Sequence, residues 1–205
     1  AVSLDDKPTL VIMTGPQGAG NHLFSKVLAE NPAVWGWNMQ SYWEGHHQEP
    51  FADYWADPTR LAKFDWQQSN CFVTSISCPY WREGEYHIPD YQQFAQLASE
   101  HATVKVILLG RDQNILRRQQ QRLRGEYTTP KMNAELTQLQ DYPIVVASQE
   151  LLHLYKLTYV NWLEDWIGIP RRDSLVLTPD ANEKYIHDAE SDVAEHVTKA
   201  VADSG

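Results

Sequence analysis

The residues of this chain best suited to chemistry are three glycines, Gly15, Gly18 and Gly20, placed between an apolar run at 10–13 and a segment with helical spacing, Leu23, Phe24, Val27 and Leu28. Strand, glycine loop and helix together make a phosphate cradle. Glycines let backbone N–H groups approach an anion, and the start of a helix adds unpaired donors and a favourable dipole. Gly15 and Gly20 have the spacing of G-x-x-x-x-G, but the next two residues are Asn21 and His22. A nucleotide-hydrolysing loop carries Lys and Ser/Thr there, for the terminal phosphate and for magnesium. The sequence therefore predicts a phosphate site that does not perform ordinary ATP chemistry.

A second anion site is written in 104–124, VKVILLGRDQNILRRQQQRLR. The continuous apolar run at 104–109 predicts a strand buried on both faces of a parallel sheet, and Arg111 follows it directly. Arg117, Arg118, Arg122 and Arg124 come next, so five of the 17 basic side chains fall within fourteen residues. Arginine's fork matches phosphate oxygens. Arg111, at a strand end, is the anion ligand of this group, whereas Arg117 and Arg124 read as a solvated helix face. A hydrolysing enzyme would place a magnesium-holding Asp at such a strand end. Here Gly110-Arg111 stands there, and Asp112 is expected to cap the following helix.

The elements that must hold these residues follow from periodicity. Strands are expected at 10–14, 71–78, 104–109 and 143–147, the last also buried, with a short one at 175–177. Helices are expected from the loop to Asn31-Pro32, and at 90–101, 112–124, 131–139, 149–167 and 189–201. Strands alternating with helices predict an α/β three-layer sandwich around a central parallel sheet, with ligands at the carboxyl ends of the strands. The whole of 1–205 reads as one domain, with an aromatic-rich insertion of loops and short helices at about 34–66. Those aromatics either fill a core under long loops or present a platform to a sugar or aromatic acceptor.

Net charge is −10 and apolar content 42%, the pattern of a globular protein that does not bind nucleic acid or an anionic membrane surface. No apolar run approaches the ~18 residues of a membrane span. Cys71 and Cys78 flank a strand and are too far apart to bridge, so two buried thiols in a reducing cytoplasm are expected.

Taken together, the loop and the strand-end arginine resemble the sulfotransferase family, whose P-loop fold binds 3′-phosphoadenosine 5′-phosphosulfate without a metal. Its first motif runs like PRSGTTLLSRLL, and QGAGNHLFSKVL lies over it, with Gly20 at the shared glycine and Asn21-His22 at the Thr pair. Its second motif is a strand ending in Arg-Asp/Asn-Pro with a Ser eight residues after the Arg. Arg111-Asp112 fits, with Gln113 for the Pro and Gln119 for the Ser. A third likeness, VVASQELL followed by LEDWIGIP, is similar to the family's YEDL and FLGLP patterns, with Gln149-Glu150-Leu151 over Glu-Asp-Leu. The family's basic loop residue, which stabilises the leaving phosphate, is Gly18 here.

The resemblance implies that Gly15, Gln17, Gly18, Ala19, Gly20, Asn21 and His22 surround the 5′-phosphosulfate, while Arg111 and Gln119 hold the 3′-phosphate. A small-molecule or carbohydrate acceptor would attack sulfur through a hydroxyl or amine. His22 either supplies the missing charge or acts as a neutral hydrogen-bonding residue. A general base is sought in SYWEGHH, where Glu44, His46 and His47 cluster, with His87 as an isolated alternative. Two other readings share the same loop: a P-loop kinase of a small metabolite, and a catalytically silent descendant that binds a nucleotide or a partner protein.

Overall fold

The computed structural model describes residues 7–37, 48–124, 128–129, 132 and 135–177, without the side chains of 113–115, 119, 123 and 124. The expected helix at 189–201, residues 131, 133 and 134 of that at 131–139, and Glu44, His46 and His47 lie outside the described residues; Leu136–Leu139 of the second form a 3-10 turn.

Four parallel strands form the central sheet: β1 (Thr9–Gly15), β2 (Cys71–Ser77), β5 (Thr103–Gly110) and β6 (Ile144–Ser148), in the order β2-β1-β5-β6. The two inner strands are runs of β-branched and apolar residues with both faces covered, as the sequence predicts for a parallel sheet. Trp35 adds one parallel bridge outside β2, its N–H donating to Cys71 O at 2.8 Å and its C=O accepting from Val73 N–H at 2.9 Å. Between β2 and β5 the chain forms a hairpin of β3 (Tyr80–Arg82) and β4 (Glu85–His87). The sequence reading does not foresee this hairpin. Its two-residue turn is Glu83-Gly84, with φ of 54° and 90°, and positive φ at both positions is what a tight hairpin turn requires.

Helices cover both faces. On one side lie α1 (Asn21–Ala29) and α5 (Gln149–Ile167), burying Phe24, Val27, Leu28, Leu152, Val160 and Leu163 against Val11, Met13, Val73 and Ile107. On the other lies α3 (Tyr91–Ser99), capped by Asp90, whose Oδ1 accepts from Gln93 N–H at 2.9 Å. The aromatic insertion joins this second layer through α2 (Ala52–Ala56) and a 3-10 turn, Pro58–Lys63. Its rings pack on one another and on the sheet: Trp55 stacks on Phe94 at 3.6 Å between centroids, and Phe51 and Phe64 meet Trp35 edge-on at 5.5 and 5.4 Å. Of the two roles open to the aromatics, these take core filling. The remaining helix, α4 (Gln113–Arg124), follows β5.

Two expectations are corrected. The strand at 143–147 is not buried: β6 is the sheet edge, and Ile144 and Val146 are 41% and 63% exposed. An edge strand has a neighbour on one side only, so an apolar run does not guarantee cover on both faces. Residues 175–177 form no strand; Leu175 and Leu177 pack on the α1–α5 layer instead of extending the sheet. Both cysteines are free and buried as expected, and burial pushes the Cys71 thiol up to about 12 and the Cys78 thiol up to about 11. No helix among the described residues is long and apolar enough to cross a membrane.

Helix α5 ends at Gly168 (φ 94°), and the chain then returns to clasp α1. Buried Glu164 accepts from Arg172 Nε at 2.6 Å and from Asn31 Nδ2 at 3.0 Å, while Arg172 also reaches Glu30 at 3.1 Å and the α1 carbonyl of Leu28 at 3.3 Å. Removing one partner strands a charge with no water nearby. Arg172→Ala is expected to lower unfolding stability by about 3 kcal/mol, and Arg171→Ala, at the exposed pair with Asp165, to leave it nearly unchanged. Urea unfolding of the two variants side by side checks the contrast.

Candidate functional site

The carboxyl ends of β1 and β5 lie side by side, and their connections leave in opposite directions. The chain leaves β1 through α1 toward β2, and leaves β5 through α4 toward β6. In open α/β sheets such a reversal is the place where ligands bind. The glycine loop follows β1 at this rim and the buried Arg111 follows β5.

Close approach fixes the loop. A Cβ on Gly15 would sit 2.6 Å from the Leu109 carbonyl oxygen, so β1 can meet β5 there only without a side chain. Gly20 has φ 97° and begins α1, and no side chain caps that helix end. A Cβ on Gly20 would lie 2.9 Å from Gln149 Oε1. The loop closes on itself through Ala19 N–H to Pro16 O at 3.1 Å and through Asn21, whose Nδ2 donates to Gly15 O and Pro16 O, each at 3.3 Å. Asn21 is buried and turned into the loop, where its amide holds the turn together.

Arg111 is buried beside the loop. Its Nη1 donates to Gln149 Oε1, and its Nε lies 3.4 Å from Glu150 Oε1. Since Gln149 abuts Gly20, one amide joins the strand-end arginine to the glycine turn. The third sequence likeness thus meets the first two in space, a role its sequence position gave no means of assigning.

Gln17 is fixed from α4 by a residue the sequence reading missed. Gln120 is buried, donates through Nε2 to Gln17 O at 2.6 Å, and accepts from Thr128 N–H at 2.8 Å and Thr129 N–H at 3.2 Å. Thr128 Oγ1 in turn donates to Gln17 Oε1 at 3.1 Å. The inward face of α4 carries Leu116 and Gln120, four residues apart, while Arg117 and Arg122 are exposed. The signal was available in the sequence: Leu116 is apolar, and its helical neighbour at i+4 is Gln120. The side chain of Gln119 lies outside the described residues.

His22 stands on the opposite flank of α1. Its Nδ1 is 3.3 Å from Ser75 Oγ on β2, and the edge of its ring meets Trp37 at 4.6 Å. One turn on, Lys26 Nζ lies 5.4 Å from the centroid of the same Trp37. His87, the alternative base, is in the β3–β4 hairpin, bonded to the Arg82 carbonyl at 3.2 Å and stacked on Tyr80. Nothing in its contacts draws it to the loop.

Behind Ser75 lies Glu49, another residue the sequence reading passed over. Its Oε1 accepts from Ser75 N–H at 3.2 Å and its Oε2 from Phe51 N–H at 2.8 Å. Burial pushes its carboxyl up to about 8, against the opposing pull of hydrogen bonds from Ser75, Phe51 and Thr74. The folded chain therefore holds a proton that the unfolded chain releases in the ordinary carboxylate range. The stability this contributes is complete below that range and is lost as pH rises through about 8. Between about pH 5 and about pH 9 the native chain is expected to lose a few kcal/mol more than Glu49→Gln, as read by denaturant unfolding at each pH. Comparison with protein-family models, with curated proteins and with solved structures returns no match for this chain.

Proposed function

We propose that the chain is a sulfotransferase-like enzyme of P-loop type, moving a sulfuryl group from 3′-phosphoadenosine 5′-phosphosulfate to a hydroxyl or amine acceptor. One observation carries the reading: the glycine turn and the strand-end Arg111 stand at the carboxyl ends of adjacent parallel strands whose connections reverse, joined through Gln149. In this reading the 5′-phosphosulfate sits on the loop, over the uncapped start of α1, and the adenosine spans the two strand ends toward α4. Backbone N–H groups and His22 take up charge on the leaving phosphate while the acceptor attacks sulfur in line. Neither the lysine nor the hydroxyl of a magnesium–triphosphate site follows Gly20, which favours this reading over a kinase.

Arg111 has a specific part to play. Glu150 stands 3.4 Å from its Nε, where the reading places a 3′-phosphate oxygen. Binding exchanges the carboxylate for the phosphate, while Gln149 keeps its hold on Nη1.

Calorimetry with 3′-phosphoadenosine 5′-phosphate tests this directly. The native chain is expected to bind without magnesium, and Arg111→Ala to weaken binding at least about tenfold, the loss of one charge-assisted contact. Glu150→Gln, which weakens the competitor for Arg111, is expected to tighten it. An affinity indifferent to Arg111, or a clear preference for magnesium–ATP, defeats the reading. The second outcome would install the kinase in its place.

A further inference from the structure

A buried hydroxyl decides what His22 can be. Ser75 is fully buried, and its backbone N–H is already given to Glu49. Among the described residues, the partner of its Oγ is His22 Nδ1, at 3.3 Å. A buried O–H needs an acceptor for its hydrogen. Nδ1 accepts only when the imidazole is neutral and its proton is on Nε2. With the proton on Nδ1, or with both nitrogens protonated, Nδ1 becomes a donor and the Ser75 hydrogen is left without an acceptor in a dry site.

We propose that Ser75 is a positioning residue that holds His22 neutral, with its proton on Nε2, so that His22 meets the anion at the glycine loop as an uncharged hydrogen-bond donor. This rests on the nucleotide reading for the identity of the anion but not for the state of the ring. Two neighbours among the described residues agree with a neutral ring. Lys26 shares the face of Trp37 with His22, and a cation there opposes a second one. The Glu49 carboxyl behind Ser75 is pushed up to about 8, so at neutral pH it supplies no negative charge to draw His22 into the cationic form. The edge-on contact with Trp37, at 78° between planes, holds the imidazole plane against rotation. The loop then differs in kind from one that carries a lysine: its side-chain contribution is a hydrogen bond without a charge.

The test is a two-bond ¹H–¹⁵N correlation spectrum of the full chain labelled at its eight histidines, at about pH 7.5, with His22 assigned by its loss in His22→Gln. The expected result is the Nε2–H pattern for His22 in the native chain, the same pattern in Ser75→Thr, and a mixture of tautomers in Ser75→Ala. An Nδ1–H pattern or an imidazolium in the native chain overturns the proposal, as does an unchanged tautomer in a folded Ser75→Ala. The native spectrum decides the tautomer even if Ser75→Ala folds poorly. In a second arm, 3′-phosphoadenosine 5′-phosphate is expected to bind His22→Gln within about threefold of the native chain and His22→Leu about tenfold more weakly, because only glutamine keeps a neutral donor. A glutamine variant as weak as leucine counts against the proposal. The spectrum needs no nucleotide, so a failure to bind would sink the nucleotide reading while leaving the claim about Ser75 to stand or fall by the spectrum alone.

Discussion

One side-chain amide joins the two strand ends that carry the glycine loop and Arg111. Gln149 opens α5, accepts from Arg111, and lies against the α-carbon of Gly20. It occupies the space that any Cβ at Gly20 would need. That contact joins the β5 end to the glycine turn, and position 20 favours glycine on two grounds, its positive φ and the neighbour above it. Arg111 is buried there with the oxygens of Gln149 and Glu150 facing it.

The loop itself is held by neutral groups. Asn21 ties its two ends, and Gln120 with Thr128 ties Gln17 to α4. In a loop built around lysine, charge does part of that work and is then shared with the ligand. Here the amide N–H groups of Asn21 and Gln120 are given to the loop's own carbonyls. His22, Ser75 and Glu49 extend this polar layer across to β2, beneath the aromatic insertion.

That insertion shows how an opaque segment is settled by packing. Trp35, Phe51, Trp55, Phe64 and Trp66 follow no period, so neither a helix nor a strand could be drawn through them. Their order comes from one another: each ring fills the angle left by its neighbours on the face of β2 and α3 that no helix from the sheet crossovers covers. The same logic runs in reverse at β6. A run of β-branched residues there looked fully buried, yet a strand's second face is covered only if some other element reaches it.

The sequence by itself determined the α/β class, the glycine turn between strand and helix, the arginine after a buried strand, and the boundaries of the long helix that Gly168 closes. These are local matters, written in glycine's freedom, in apolar periodicity and in strand-end position. Only the tertiary structure decided strand order, the bonding of Gln120 to Gln17 and Thr128, and the meeting of Gln149 with Gly20. It also brought Glu49 behind Ser75. Helix phase between Gln119 and Gln120 turns on about 100° of rotation, which a run of three glutamines does not mark and the single buried Leu116 does. A carboxylate in a loop reads as solvated until packing removes its water, because burial is a property of everything that arrives around a residue and not of the residue itself.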